Sequence, residues 1–211
     1  MKNFKFAALA LALAAIGSAN AAVITFQTGT STAGVQSTAQ AYADVVNAAV
    51  SGSTGHSVVL SSYDNVSNNS VFHAGNSNIA YKSTIDFGLT SAGTYSFRAG
   101  VDFGKGGAVF LDGQVVDFKT NDMWWGGSYS NASQYFQVSG ANLSAGNHTL
   151  TIYGLEGCCD GGQQVQFAKV GEGYQSFTAN TLAPVPEPET YAMLLGGLAM
   201  VGVVARRRRA A

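Results

Sequence analysis

Short runs of alternating apolar and polar residues fill the middle of the chain. The longest begins at Gly93, and every second residue from Tyr95 to Phe103 is apolar. A period of two places successive side chains on opposite faces of a β-strand. This strand is therefore predicted to turn one face to a core and the other, which carries Asp102, to water.

Seven further segments have the composition of short strands: residues 23–26, 56–61, 79–87, 108–111, 114–116, 148–153 and 163–170. Asp112-Gly113 joins two of them and predicts a tight hairpin, because both residues tolerate a positive φ. Residues 39–50 place apolar side chains at helical spacing and predict one short helix. Polar loop and turn are predicted at residues 64–69 and 139–148.

These elements predict an all-β fold, an antiparallel β-sandwich of jelly-roll type with one short helix, and favour it over a barrel. At the N-terminus, Lys2 and Lys5 precede the apolar residues 6–16, and Ala19-Asn20-Ala21 has the small residues of a cleavage site. Residues 1–21 are thus predicted to be a signal helix that is removed on secretion, leaving a domain at 22–183.

The C-terminus combines three features within residues 184–211. Pro186-Glu187-Pro188 blocks a helix from running through, the apolar residues 191–205 predict a helix of about 23 Å, and an arginine cluster follows. The cluster comprises Arg206, Arg207, Arg208 and Arg209. Because the segment has no polar face, we predict a short transmembrane helix with its arginines on the cytoplasmic side, in preference to an amphipathic helix packed on the domain.

This order of features resembles the PEP-CTERM sorting signal of exported bacterial proteins. The resemblance implies that a membrane-embedded sorting enzyme recognises and removes the tail. The protein would be anchored in the membrane before processing and would then lie at the cell surface or in the extracellular matrix.

The charge of residues 22–183 narrows the range of partners. Five basic and ten acidic residues give this segment a net charge of −5, while charged residues are only 11% of the whole chain. A nucleic-acid-binding domain needs a basic face, so nucleic acid is excluded as a partner.

The chain's two cysteines are adjacent in the glycine-rich segment Glu156-Gly157-Cys158-Cys159-Asp160-Gly161-Gly162. Three states are open: a vicinal disulfide, two intermolecular disulfides, or free thiols. A vicinal disulfide would form a rigid knob for a sugar ring, with hydrogen bonds from Glu156, Asp160 and Gln163; the alternative is a stiffened turn that touches no ligand. Adjacent cysteines lack the spacing of a zinc site. Cys-Cys-x-Gly with this tail resembles a small subgroup of PEP-CTERM proteins.

A second candidate site is the segment Asn121-Asp122-Met123-Trp124-Trp125-Gly126-Gly127, whose two tryptophans lie in a glycine-flanked loop. Their rings could stack on sugar faces, or they could close the end of the sandwich.

The segments Gly93-Thr94-Tyr95-Ser96-Phe97, Val109-Phe110-Leu111-Asp112-Gly113 and Leu143-Ser144-Ala145-Gly146-Asn147-His148 resemble the sugar-binding β-sandwich named after anthrax protective antigen. In lectins of that family, two consecutive aspartates before the Leu-Asp-Gly strand hold calcium. Gly106-Gly107 stands in that region here, so calcium is in doubt and Asp102 is the only metal ligand that we name.

Enzyme motifs are not found: the sequence has no Gly-x-Ser-x-Gly elbow, His-Glu-x-x-His helix or phosphate-binding loop. We therefore expect a non-catalytic module that binds carbohydrate, such as exopolysaccharide or a cell-surface glycan. A self-associating matrix or surface protein is the alternative, and a carbohydrate-active enzyme is a weaker one, because nothing in the sequence selects a pair of catalytic acids.

Overall fold

The computed structural model describes residues 22–182, 195–202 and 205–206. The first range contains β1 (Val23–Thr30), α1 (Ala39–Val50), β2 (His56–Leu60), α2 (Asn68–Phe72), β3 (Ser77–Leu89), β4 (Gly93–Gly100), β5 (Gly107–Leu111), β6 (Gln114–Lys119), a 3-10 turn (Ala132–Gln134), β7 (Tyr135–Leu143), β8 (Gly146–Cys158), β9 (Gln164–Lys169) and β10 (Gln175–Ser176). Residues 195–202 and 205–206 are helical.

Two antiparallel sheets face each other, which confirms the predicted β-sandwich. One sheet has the strand order β2-β1-β3-β8-β5-β6, and the other has the order β10-β9-β4-β7. The core between them is rich in aromatic rings: Phe87 lies 5.6 Å from Phe97 and 5.7 Å from Phe177, measured between ring centroids. Burial of such large apolar surfaces is the main force that joins the sheets.

The alternation after Gly93 has the predicted effect, since all five apolar residues from Tyr95 to Phe103 are buried. The hairpin is also confirmed: Asp112 has φ 50° and Gly113 has φ 76°, as a tight primed turn requires. The carboxylate of Asp112 accepts from the main-chain N–H of Thr149 at 2.9 Å and contacts Nδ1 of His148 at 2.8 Å.

Helix α1 matches its predicted range and covers the outer face of the larger sheet. Thr38 caps its start by accepting from the N–H of Ala41 at 3.1 Å. Tyr42 and Val46 are fully buried against a second apolar cluster that includes Ala80 and Leu155.

Three local predictions were wrong. Residues 68–69 open the five-residue helix α2, because Ser67 forms a capping box with Ser70. Residues 139–143, predicted to be part of a turn, belong to strand β7. The strand contains a bulge with Gly140 at φ 66°, and a glycine in such a position is also typical of turns. Asp102 was predicted on the water-facing side of a strand running to Phe103, but β4 ends at Gly100, and Asp102 is 7% exposed because it packs closely against Gly161.

The predicted signal peptide at 1–21 and residues 191–194 and 203–204 of the predicted membrane segment at 191–205 lie outside the described residues. Among the helices that are described, none is both long and apolar enough to span a membrane.

Candidate functional site

Two loops meet at one end of the sandwich because their main chains pair. Beyond β4, Phe103 exchanges hydrogen bonds with Met123, with N···O distances of 3.0 and 3.2 Å. Phe103 and Met123 are fully buried, so they anchor both loops in the core. The residues that precede them, Asp102 and Asp122, therefore lie close together.

The end of strand β8 completes this region. Leu155 exchanges main-chain hydrogen bonds with the loop that follows Phe103, accepting from Lys105 at 2.9 Å. The next residue, Glu156, is 1% exposed, and its Oε2 accepts from the N–H of Gly104. Its other oxygen, Oε1, is buried without a hydrogen-bond partner among the described residues.

Beyond Glu156, Cys158 and Cys159 form a vicinal disulfide, and the peptide bond between them is cis. This settles which of the three predicted cysteine states the structure contains. Asp160 follows, and its carboxylate accepts from the N–H groups of Asn68 at 2.9 Å and Asn69 at 2.6 Å and from the hydroxyl of Tyr81. The disulfide is therefore held between strand β8 and a firmly bound carboxylate.

These segments surround a pocket of about 450 Å³, which we call the acidic pocket. It is lined by Asp102, Asp122, Trp124, Glu156, Cys158, Cys159, Asp160 and Gly161. Gly161 permits this close arrangement, since a Cβ there would lie 2.0 Å from Oδ2 of Asp102.

Two of the acids have raised pKa values. Burial, and then the negative charges of Glu156, Asp122 and Asp160, raise the pKa of Asp102 to about 7. Burial also raises the pKa of Glu156, against the opposing effect of the main-chain N–H of Gly104, which donates to its Oε2. Near neutral pH the pocket can therefore both donate hydrogen bonds from a protonated acid and accept them at a carboxylate.

Trp124 gives the pocket an apolar surface, because its side chain is 67% exposed. An exposed indole beside buried acids offers a ligand both an apolar surface and hydrogen-bonding groups.

The structure places five of the predicted ligand-binding residues together: Trp124, Glu156, Cys158, Cys159 and Asp160. Trp125 and Gln163 do not line this pocket. The ring of Trp125 packs directly on Gly100, because a Cβ added to Gly100 would lie 2.2 Å from Cε2 of that ring. The same ring lies near the ring of Tyr129. Gln163 is fully buried, and its Oε1 accepts from the hydroxyl of Tyr63 at 3.1 Å.

Asp122 lies within the predicted candidate segment, residues 121–127, but the prediction assigned a role only to the two tryptophans of that segment. The only available signal was the polar Asn121-Asp122 sequence at the start of that loop. Tyr81, which holds Asp160, gave no signal, because it reads as an ordinary core residue of strand β3.

The acids do not form a metal site in this arrangement. Both oxygens of Asp160 accept from N–H or O–H donors, and Oε2 of Glu156 accepts from Gly104. No set of three or more His, Cys, Asp or Glu side chains in the described ranges is arranged to hold a metal ion. The chain also lacks the aspartate pair of the calcium site that the resemblance implies, because Gly106-Gly107 stands in that region and leaves Asp102 as the only candidate ligand named there.

Solved structures share this fold at low sequence identity. A PA14 sugar-binding domain from an RTX adhesin has a TM-score of 0.54 and 14% identity, over 80% of this chain and 100% of that domain. The A domain of Epithelial Adhesin 6 from Candida glabrata, in complex with Galb1-3GlcNAc, has a TM-score of 0.51 and 8% identity, over 83% of this chain and 92% of that one. At these identities the similarity establishes the fold only. No curated protein sequence matches this chain significantly.

The tail is identified by its sequence. Residues 184–209 match the PEP-CTERM protein-sorting motif. This confirms the resemblance drawn from Pro186-Glu187-Pro188 and the arginine cluster, and it implies an exported protein with a C-terminal sorting signal.

Proposed function

We propose that this exported protein binds glycan without catalysis and that the acidic pocket is the binding site. The supporting observation is the joint placement of the exposed Trp124 ring, the Cys158–Cys159 disulfide and the buried acids Asp102 and Glu156 around one cavity. The fold also occurs in a domain described as sugar-binding and in an adhesin solved with a disaccharide.

The partner that we propose is exopolysaccharide or a cell-surface glycan. A second partner is the membrane-embedded sorting enzyme that acts on residues 184–209. The protein would first be held in the membrane by its C-terminal segment and would then be released to the cell surface or extracellular matrix. The negative charge of residues 22–183 argues against nucleic acid.

The hydrogen bonds that already engage Asp160 and Glu156 favour ligand binding over hydrolysis as the function of the acidic pocket. Asp160 is engaged by two N–H groups and the Tyr81 hydroxyl, and Glu156 is held by the main chain. Asp160 and Oε2 of Glu156 are therefore poorly placed to exchange protons, and general acid-base chemistry on a glycosidic bond needs a pair of acids that can do so.

A second candidate function is self-association, and strand β6 favours it. This strand lies at the edge of the six-stranded sheet, and Val115, Val116 and Phe118 on it are 51%, 37% and 44% exposed. Open edges with apolar side chains can pair with another copy of the chain.

Two substitutions separate the functions. We expect Trp124→Ala to weaken the binding of exopolysaccharide from the producing bacterium by about tenfold, since it removes the stacking surface. Phe118→Ala, which removes an exposed aromatic ring from strand β6, is the matched control and should bind normally. Isothermal titration on full-length protein would measure the affinity, and analytical ultracentrifugation would measure association.

The reverse pattern would support the alternative. If the wild type shows no saturable glycan binding and Phe118→Ala dissociates an oligomer, self-association is the better account. Release of sugar fragments on prolonged incubation would instead indicate an enzyme.

A further inference from the structure

A second cavity lies beside the acidic pocket, at the start of strand β3. It has a volume of about 290 Å³ and is bounded by strands β1 and β3, the turn before strand β2, and the segment after helix α2. Its hydrogen-bonding residues include Thr28, Thr54, His56, Asn68, Ser77 and Asn78. We call it the threonine pocket.

The threonine pocket has a different chemistry from its neighbour. No Asp, Glu, Lys or Arg is among its lining residues, which instead carry hydroxyl, amide and imidazole groups. A neutral cavity with many short hydrogen-bonding side chains matches a ligand that is itself neutral and rich in hydroxyl groups.

One wall of this pocket is rigid. Thr28 and Asn68 are 1% and 4% exposed, and the Thr28 hydroxyl donates to Oδ1 of Asn68 at 2.6 Å. Nδ2 of Asn68 in turn donates to the carbonyl of Gly75 at 2.6 Å. These bonds fix the wall before any ligand arrives, which lowers the entropy cost of binding.

The opposite rim carries polar groups that are available to a ligand. The side chains of His56, Ser77 and Asn78 are exposed, and none of them forms a hydrogen bond with another residue in the described ranges. The His56 ring is held in place by stacking on Phe72, with centroids 5.1 Å apart.

The two pockets share a boundary of hydrogen-bonded residues. Ser77 pairs with Cys158 across strands β3 and β8, and neighbouring strands in a sheet are only about 4.8 Å apart. Asp160, in the acidic pocket, accepts from the main chain of Asn68 at 2.9 Å and donates its own N–H to the carbonyl of Asn76 at 3.0 Å. A single extended ligand could therefore lie across both cavities.

We propose that the threonine pocket is a second saccharide subsite, which binds a neutral sugar unit of the same glycan chain that occupies the acidic pocket. This inference rests on the proposed function and adds that the ligand is an oligosaccharide or polysaccharide of which several sugar units contact the protein. Linking two weak subsites through one ligand raises the overall affinity without any new contact.

The test uses full-length protein and fragments of the producing bacterium's exopolysaccharide, separated by length after partial acid hydrolysis. We expect affinity to rise by at least about tenfold between fragments that fill one pocket and fragments that span both. Ser53→Trp places a bulky ring on an exposed lining residue of the threonine pocket, so it should abolish this rise and leave the affinity for the shortest fragments unchanged. Ser57→Trp places the same ring at another exposed position outside the pocket and should preserve the rise.

A second variant tests the same pocket without adding a bulky side chain that could disturb folding. Asn78 has φ 54°, a conformation that glycine adopts without strain, so Asn78→Gly removes the amide while keeping the backbone. It should reduce the gain with length by a few-fold, the effect of one hydrogen bond, at an unchanged unfolding midpoint.

The outcomes distinguish the two proposals. If short fragments bind but affinity does not depend on length, or if Ser53→Trp and Asn78→Gly both retain the full gain, the second subsite is refuted and the first stands. If no fragment binds the wild type, both proposals fail together.

Discussion

Folding changes the protonation of the Asp102 carboxyl. In the folded protein its pKa is about 7, because it is buried among other acids, whereas an aspartate in an unfolded chain has a pKa of about 4. At a pH between these two pKa values, the Asp102 carboxyl is protonated in the folded state and ionised in the unfolded state. The carboxyl therefore favours folding fully below about pH 4, and this contribution is lost as the pH rises to about 7.

We predict that the free energy of unfolding falls between about pH 4 and pH 7, by an amount on the order of 1–3 kcal/mol from this group. Asp102→Asn carries no charge at any pH and should reduce the slope of the profile, leaving the part that comes from Glu156, whose pKa is also raised. Asp44→Asn, at an exposed position on helix α1, is the control and should keep the wild-type slope. Urea titrations at a series of pH values would measure this, and identical slopes in the wild type and Asp102→Asn would contradict the burial of this carboxyl.

The sequence alone could not assign different roles to the two tryptophans. Trp124 and Trp125 are neighbours in a loop without a periodic pattern, so the sequence predicted the same role for both. Their difference arises from a distant residue, because Trp125 fills the space left by Gly100 on strand β4. Gln163 shows the same limit: its polar type suggested a ligand contact, but its oxygen accepts from the buried Tyr63.

Among the elements, the turn between strands β5 and β6 was the easiest to predict and offers a simple test. Gly113 has φ 76°, and a Cβ added there would meet no atom within 4 Å. Backbone strain is then the only cost of Gly113→Ala, and we expect it to lower the free energy of unfolding by about 1 kcal/mol.

Gly34→Ala is the matched control for that substitution. A Cβ at Gly34 also meets nothing within 4 Å, but its φ is not in the left-handed region. We expect it to be neutral or slightly stabilising, since alanine restricts the unfolded chain. Urea denaturation of both variants provides the comparison, and equal stabilities would contradict the turn geometry.

Elements with regular patterns were predicted well, and elements defined by local exceptions were not. Helix α1 matched its predicted range because its apolar residues follow helical spacing and Thr38 provides a cap. Strand β7 was read as a turn at residues 139–143, because it is partly exposed and contains a bulge at Gly140. Helix α2 has only five residues, too few to show a helical period.

For the whole molecule, the assembly of the acidic pocket could not be predicted. Its residues come from the loop after strand β4, from the tryptophan loop and from the end of strand β8. Only the pairing of Phe103 with Met123, and of the loop after Phe103 with Leu155, brings them together. Sequence patterns predicted the sandwich, since each strand carries its own signal, but no local pattern encodes which loops meet.

The disulfide belongs to this site more than to the stability of the molecule. Cys158 and Cys159 are adjacent in sequence, so their bond closes no long loop and restricts the unfolded chain very little. Its reduction should therefore leave the unfolding transition of the domain almost unchanged while it alters the wall of the acidic pocket.

The most direct test of the central claim is the binding isotherm of exopolysaccharide on the full-length protein, recorded with and without mild reductant. We predict saturable binding that weakens by about tenfold on reduction, at an unchanged unfolding midpoint. Binding that is absent in both states would contradict a glycan-binding function. Binding that is equally strong after complete reduction would place the glycan away from the Cys158–Cys159 loop.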